Sequence, residues 1–100
     1  MNTERQLIYG RLGKNPELKY TRQQEPICRF TVAENSKEKE TTEWYNIVVW
    51  GKQAEQCSMY LKKGSSVFVR GQKQVQNYTA KTGEQKVFTE FKADTVGFLY

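Results

Sequence analysis

The residues of this sequence that could do covalent or acid–base chemistry are two cysteines and a scatter of carboxylates, because the chain contains no histidine. Without histidine there is no Ser-His-Asp or Cys-His machinery and no imidazole metal ligand. Cys28 and Cys57 form no CxxC pair, and two cysteines cannot build a zinc site alone. We therefore expect two buried, reduced thiols, no metal or other cofactor, and no enzymatic activity.

Aromatic side chains are the other chemically distinctive feature. They make up 13% of the chain against a hydrophobic fraction of only 37%, which indicates that some of them serve a surface rather than the core. The alternation over 44–50 places Tyr45, Ile47 and Val49 on one face and Trp44, Asn46, Val48 and Trp50 on the other. A strand that buries only one face needs bulky side chains on that face alone. The tryptophan face is a candidate binding surface, and the alternative is that one or both tryptophans fill the core.

Period-two patterns predict the strands that would position these residues. They cover 7–13, bent by Asn15-Pro16 before 18–21, and then 27–33, 44–50, 66–78 and 86–93. Over 53–63 the period changes, and Ala54, Cys57 and Leu61 share one helical face. Lys62-Lys63-Gly64 is typical of a helix end, Gly71 of a bulge and Thr82-Gly83 of a hairpin tip. The charged stretch 34–43 is expected to be a solvated loop.

Three strands, one helix and two further strands are the layout of an OB-fold. We therefore predict an all-β class, with residues 1–100 forming a single domain: a five-stranded Greek-key barrel with an α-helix between strands 3 and 4. An SH3-like barrel or a small α+β sheet remains open on pattern alone.

The charge balance and the start of the chain bear on partners and location. Sixteen basic and eleven acidic residues give a net charge of +5, which favours an anionic partner. No apolar run approaches the 18 residues of a membrane span, and residues 1–5 lack the apolar segment of a signal peptide. We expect a cytoplasmic protein.

Four stretches, spread in order along the chain, carry a specific pattern: GRLGKNPELKY at 10–20, FTVA at 30–33, EWYNIVVWGKQAE at 43–55 and YLKKGS at 60–65. With Gly71-Gln72, Thr89-Glu90 and Ala93-Asp94 they resemble the bacterial single-stranded DNA-binding protein family. The resemblance covers nearly the whole chain and is most specific over 44–65.

The resemblance implies an OB-fold that binds single-stranded DNA without sequence readout, by base stacking and phosphate contacts, in replication, recombination and repair. Trp44, Trp50 and Tyr78 carry over as stacking residues, and Lys52 and Lys63 as groove lysines. Arg11, Lys19 and Lys73 complete the expected DNA-binding residues.

The resemblance also implies an assembly and a location. A nucleoid-associated homo-oligomer is expected, with a tetramer favoured and a dimer possible, and with replication or repair proteins as possible partners. Tyr9, Phe91 and the outer side of the first strand are candidate oligomer contacts.

The sequence departs from the family at four places. The stretch 34–43 lacks the aromatic residue that the family carries there, Gln74 and Gln76 stand where arginines are frequent, Gln6 and Lys73 stand where apolar residues are usual, and no acidic tail follows Tyr100. The last feature fits either a truncated chain or a short natural relative. It raises the alternative of an adaptor in replication restart, like the primosomal replication protein N. An OB module for RNA or an oligosaccharide is a third reading.

Overall fold

The computed structural model describes residues 6–36 and 41–99. Within these residues six strands and one helix follow one another: β1 (Gln6–Leu12), β2 (Glu17–Tyr20), β3 (Pro26–Ser36), β4 (Thr41–Trp50), α1 (Lys52–Tyr60), β5 (Ser66–Thr79) and β6 (Gln85–Leu99). The helix falls between β4 and β5, as the change of period predicts.

The strands close into a barrel in the order β1-β5-β6-β4-β3-β2, and an additional β1–β3 pairing completes the closure. β1 and β2 both pair with β3, so they are two arms of one strand that bends at 13–16. Counted as one strand, they give the predicted five-stranded barrel, with the parallel pairing of β4 and β6 that marks a Greek-key path. The OB-fold prediction is confirmed.

The inner face of the barrel holds the core, and its members alternate along the strands as period two requires. From the strands come Ile8, Leu12, Cys28, Phe30, Val32, Ile47, Val49, Val67, Val69, Phe91 and Ala93. The helix and its exit add Ala54, Cys57 and Leu61, the three residues that share one face in the sequence. The helix therefore covers one end of the barrel.

The helix ends earlier than the sequence indicates. It stops at Tyr60, Leu61 is already extended, and neither Lys62 nor Lys63 lies in its last turn. Leu61 keeps a hydrogen bond to the Cys57 carbonyl while its side chain enters the core. A turn at 62–65 then reverses the chain with Gly64 at a φ of +89°, which only glycine adopts easily. Packing of Leu61, rather than the lysines, sets the end of the helix.

The expected loop at 34–43 is largely strand, so that prediction is wrong. β3 and β4 continue to pair through Glu34↔Glu43, Asn35↔Thr42 and Ser36↔Thr41. A hairpin that extends beyond the barrel can be solvated on both faces, so it needs no apolar residue to remain paired. Residues 37–40 lie outside the described part.

The β5–β6 hairpin is long and irregular at one point. Its register shifts between Arg70 and Gly71, which confirms the predicted bulge, and a Cβ atom at Gly71 would collide with the backbone of Lys92. Bulges increase the local twist and bend the strand. The hairpin tip lies at 80–84, where the Ala80 and Gly83 amides close the turn, as predicted.

Three core residues have consequences for chemistry and assembly. Phe91 is only 3% exposed and belongs to the core, so the expectation that it contacts another subunit is wrong. Both cysteines are buried and free. Burial raises the pKa of Cys28 to about 11, and burial and then the Cys28 charge raise that of Cys57 to about 12. Both therefore stay as neutral thiols near pH 7.

The two faces of β4 predict opposite effects of substitution on stability. Ile47 is 1% exposed, so Ile47→Ala should lower the free energy of unfolding by about 2–5 kcal/mol through lost burial and a residual cavity. Trp44 is 61% exposed, and Trp44→Ala should cost less than about 1 kcal/mol. Urea unfolding of the two variants measures both values. Equal losses would mean that β4 is oriented the other way round.

Candidate nucleic-acid interface

The outer face of β4 carries both tryptophans. Trp44 is 61% and Trp50 38% exposed, while Ile47 and Val49 on the opposite face are buried. Six residues of strand place the two indoles about 20 Å apart along one surface. The sequence prediction that this face is external is therefore confirmed, and the alternative that the tryptophans fill the core is wrong.

Small residues shape the surroundings of Trp44. A Cβ atom at Gly13 would collide with the indole ring, so Gly13 is what lets the ring lie over the bend between β1 and β2. Next to Trp44 in register is Ala33 of β3, and beyond it Arg11 of β1. Trp44, Ala33 and Arg11 thus form one row across three strands, with an exposed cation at its end.

Trp50 begins a second row of the same kind. Ile27 of β3 pairs with Trp50, and Lys19 of β2 pairs with Ile27. Ile27 is buried although it belongs to the outer face, and Lys19 is exposed. Lys52 opens the helix two residues after Trp50 and is also exposed. Each tryptophan therefore has a cation near it. Arg11 lies two strands away from Trp44, Lys19 lies two strands away from Trp50, and Lys52 follows Trp50 by two residues.

The face continues onto the β5–β6 hairpin. Tyr78 is exposed and pairs with Lys86 near the tip, and Gln76 pairs with Phe88. Phe88 and Trp44 both line the groove between β4 and β6, which brings an aromatic ring of the hairpin close to one of the barrel. Trp44, Trp50, Tyr78 and Phe88 are exposed aromatic residues of one outer surface, which we call the aromatic face.

Phe88 is a member of this face that sequence reasoning missed. It is 39% exposed. The signal was available, since Phe88 is three residues before Phe91 on one strand and the two must point to opposite faces. A core assignment for Phe91 would have placed Phe88 outside.

An ion pair lies in the middle of the aromatic face. Arg29 Nε lies 3.4 Å from Glu90 Oε2, with the arginine side chain 54% exposed and the carboxylate nearly buried. Val48, between Arg29 of β3 and Lys92 of β6, is buried although it points outward. The stems of the two long side chains can shield an apolar neighbour in this way. Sequence reasoning assigned no role to Arg29, Glu90 or Lys92.

Two expected lysines lie apart from the aromatic face. Lys73 pairs with the core residue Phe91, so it points to the other side of the hairpin from Tyr78, in the groove that Trp44 and Phe88 border. Lys63 lies in the turn after the helix, where its amide donates to Asn15 Oδ1 at 2.8 Å. That contact brings Lys63 to the bend between β1 and β2, next to the edge of the face.

Acidic groups gather on the opposite side of β4. Glu34 and Glu43 pair across β3 and β4, and the Tyr45 hydroxyl donates to Glu43 Oε2 at 2.7 Å. That hydrogen bond, then burial and the charge of Glu34, raise the pKa of Tyr45 to about 12. Because these residues face away from Trp44, their negative charge lies behind the aromatic face rather than on it.

Residues 6–36 and 41–99 contain neither a metal-binding cluster nor a membrane-spanning helix. No group of three or more cysteine, aspartate or glutamate side chains there could hold a metal ion. The helix is too short and too polar to cross a membrane, and no other helix is present in that part of the chain.

Comparisons with known proteins agree with this architecture. The model of the single-strand binding protein family matches residues 3–99. A single-stranded DNA-binding protein of Neisseria meningitidis is 34% identical over 99% of this chain, and one of Bacillus cereus is 38% identical over 95%. Single-stranded DNA-binding protein A of Bacillus subtilis is 40% identical over 95%.

These three relatives are longer than this sequence, which spans 58–61% of their length. The match nevertheless covers almost every residue of the barrel, including both tryptophans and the hairpin. The chain belongs to the single-strand binding protein family.

Proposed function

We propose that the aromatic face binds single-stranded DNA without reading its sequence, and so protects it during replication, recombination and repair. The observation that carries this proposal is the outward orientation of Trp44 and Trp50 on one strand of a closed barrel, with Tyr78 and Phe88 extending the same surface. Every base has a π-face, and stacking on an aromatic side chain contributes about 1–3 kcal/mol per base whatever the base.

Cations around the face would hold the phosphates. Arg11 and Lys19 end the two tryptophan rows, Lys52 follows Trp50, and Lys63 lies at the edge. Lys73 would reach only a strand that passes beneath the hairpin. Duplex DNA offers the same phosphates, but its bases are already stacked on one another, so only a single strand gains from the aromatic residues.

We propose that the protein is a binding module and not an enzyme. The sequence has no histidine, and burial keeps both thiols protonated. We extend the proposal to residues 1–100 as one DNA-binding domain acting on the nucleoid in the cytoplasm. The names of the relatives support DNA binding and do not favour the adaptor in replication restart or a ligand other than DNA.

Fluorescence titration with oligo-dT at several salt concentrations tests the proposal. Trp44→Ala and Trp50→Ala should each reduce affinity by about 1–3 kcal/mol, and Tyr78→Ala should have a smaller effect of the same sign. The slope of log affinity against log salt should be about −0.7 per phosphate neutralised. Tyr60→Ala is the matched control, because Tyr60 is equally exposed but lies on the helix. Equal affinity for duplex and single strand would refute the proposal.

Gly13→Ala should weaken binding by moving the indole of Trp44. The added methyl group meets the ring, and because the indole is the flexible partner it must shift while the barrel remains folded. We expect a loss of about 1 kcal/mol, the lower end for one stacked base. In a double-mutant cycle the same substitution should have no effect when Trp44 is already alanine. An unchanged oligo-dT affinity of Gly13→Ala alone would contradict this role.

We also propose that the chain forms a homo-oligomer through β1, a tetramer rather than a dimer. β1 pairs with β5 along its length but with β3 only at Arg11 and Leu12, so its edge at 6–10 lacks a strand partner on that side. There the Tyr9 amide donates to Glu34 Oε2 at 3.1 Å, a hydrogen bond that a second chain would have to replace. Leu7 and Tyr9 project from the outer side of this strand and are more than half exposed.

Light scattering with and without oligo-dT measures the number of subunits. We expect a multiple of the single-chain mass, reduced by Tyr9→Lys, which places a charge in the proposed contact. The comparison variant Met59→Lys changes an equally exposed apolar residue of the helix and should leave the mass unchanged. A single-chain mass at all concentrations would show that β1 does not pair between chains.

A further inference from the structure

A groove in the middle of the aromatic face has a carboxylate at its floor. Its volume is about 180 Å³, several times the roughly 30 Å³ that one water molecule occupies. Among the residues that line it are Glu17, Arg29, Thr31, Asn46, Phe88 and Glu90. Glu90 is 8% exposed, and Phe88 lies two residues before it on the same side of β6, about 7 Å away.

A buried carboxylate is unexpected on a surface that binds a polyanion, because it repels phosphate. Its single ion-pair partner among the described residues is Arg29, through one contact of 3.4 Å. Because the Arg29 side chain is 54% exposed, the pair lies partly in solvent and contributes little to the stability of the barrel. The arrangement suits a ligand group that offers hydrogen-bond donors to Glu90 and an acceptor to Arg29.

We propose that the Arg29–Glu90 pair biases the aromatic face toward guanine at the single nucleotide that stacks on Phe88, while every other nucleotide is bound without reading its sequence. This inference rests on the proposed DNA binding. Guanine carries two adjacent donors, N1–H and N2–H, which a carboxylate can accept together, and beside them O6, which a guanidinium can contact. Thymine offers one N–H between two carbonyl oxygens, and these oxygens are repelled by the carboxylate. Adenine is a purine of similar stacking area without the paired donors.

The groove is arranged so that the base and not the phosphate reaches Glu90. The carboxylate lies at the floor, while the half-exposed guanidinium of Arg29 reaches toward solvent. The negative charge of Glu90 repels phosphate from the floor, while Lys14 and Arg29, which also line the groove, offer phosphate a position nearer to solvent. The phenyl ring of Phe88 provides the stacking surface beside the carboxylate. Base-edge contacts of this kind supply discrimination that stacking alone does not.

The test compares a short oligo-dT strand with strands in which the central nucleotide is dG or dA, by competition at one salt concentration. The dG strand should bind about fivefold more tightly than oligo-dT, the lower end of what a bidentate base contact gives. The dA strand should gain less than twofold. Glu90→Gln should reduce the dG preference to less than twofold, because an amide accepts at only one atom.

Glu17→Gln is the control, since it removes the same charge at the edge of the same groove, next to Arg29. It should raise affinity for all strands and keep the ratio of dG to dT. Thermal melting of both variants checks that the barrel is intact. Equal affinity of the parent protein for dG and dT strands, an equal gain with dA, or a preference that persists in Glu90→Gln would each overturn the inference. Failure to bind oligo-dT at all would instead reject the proposed function.

Discussion

Because Ile47 and Val49 on the inner side of β4 are buried, the side chains that alternate with them must point outward. Both residues are fully enclosed in the barrel core, and a shift of one residue would expose them and bury two indoles in their place. The register of β4 against β3 is fixed over ten residue pairs, so the positions of the tryptophans are set by the core rather than by contacts of their own. This is why the backbone of β4 holds the exposed aromatic residues at fixed positions before a ligand binds.

The rest of the barrel extends this constraint to the hairpin. Gln53 ties the start of the helix to β6, where its side chain donates to the Asp94 carbonyl and accepts from the Val96 amide at 2.7 Å. The bulge lies at the same point of the sheet, between Arg70 and Gly71 of β5. Helix, bulge and hairpin are therefore fixed together, and the hairpin leaves the barrel in a direction that continues the surface of β4.

The sequence was sufficient for most elements with one buried face, although it ended the last strand at 93 and β6 continues to Leu99. Period two assigns β3 and β4 correctly, and the helical spacing of Ala54, Cys57 and Leu61 finds the barrel cap. It failed where pairing needs no core, as at Glu34 and Glu43, because solvated hairpins have no apolar pattern. Lys73 was expected to contact DNA, but its spacing from the inward Val67 and Val69 already implied the other face of the hairpin.

Contacts between distant strands were beyond sequence reasoning. Arg29 and Glu90 are 61 residues apart, and nothing in either local pattern indicates that they meet. Closure of the barrel brings the two residues together. The parallel pairing of β4 with β6 sets which outer-face residues of β6 lie beside β4, and β3 lies on the other side of β4. The same pairing brings Phe88 beside Trp44. The polar centre of the aromatic face is thus a property of topology and not of any one segment.

The charged residues of this surface are arranged differently from the aromatic residues. The aromatic residues run through the middle of the face, whereas Arg11 and Lys19 lie at the ends of rows. On the hairpin, Gln74 pairs with Glu90 and Gln76 with Phe88, so uncharged amides occupy central positions of the face. Amides can hydrogen-bond a phosphate or a base but release no counterion when they do so. In the proposed DNA binding, the centre of the face would therefore rely on stacking and hydrogen bonds around the Arg29–Glu90 pair. The edges would rely on pairing of Arg11 and Lys19 with phosphates, which salt screens more strongly.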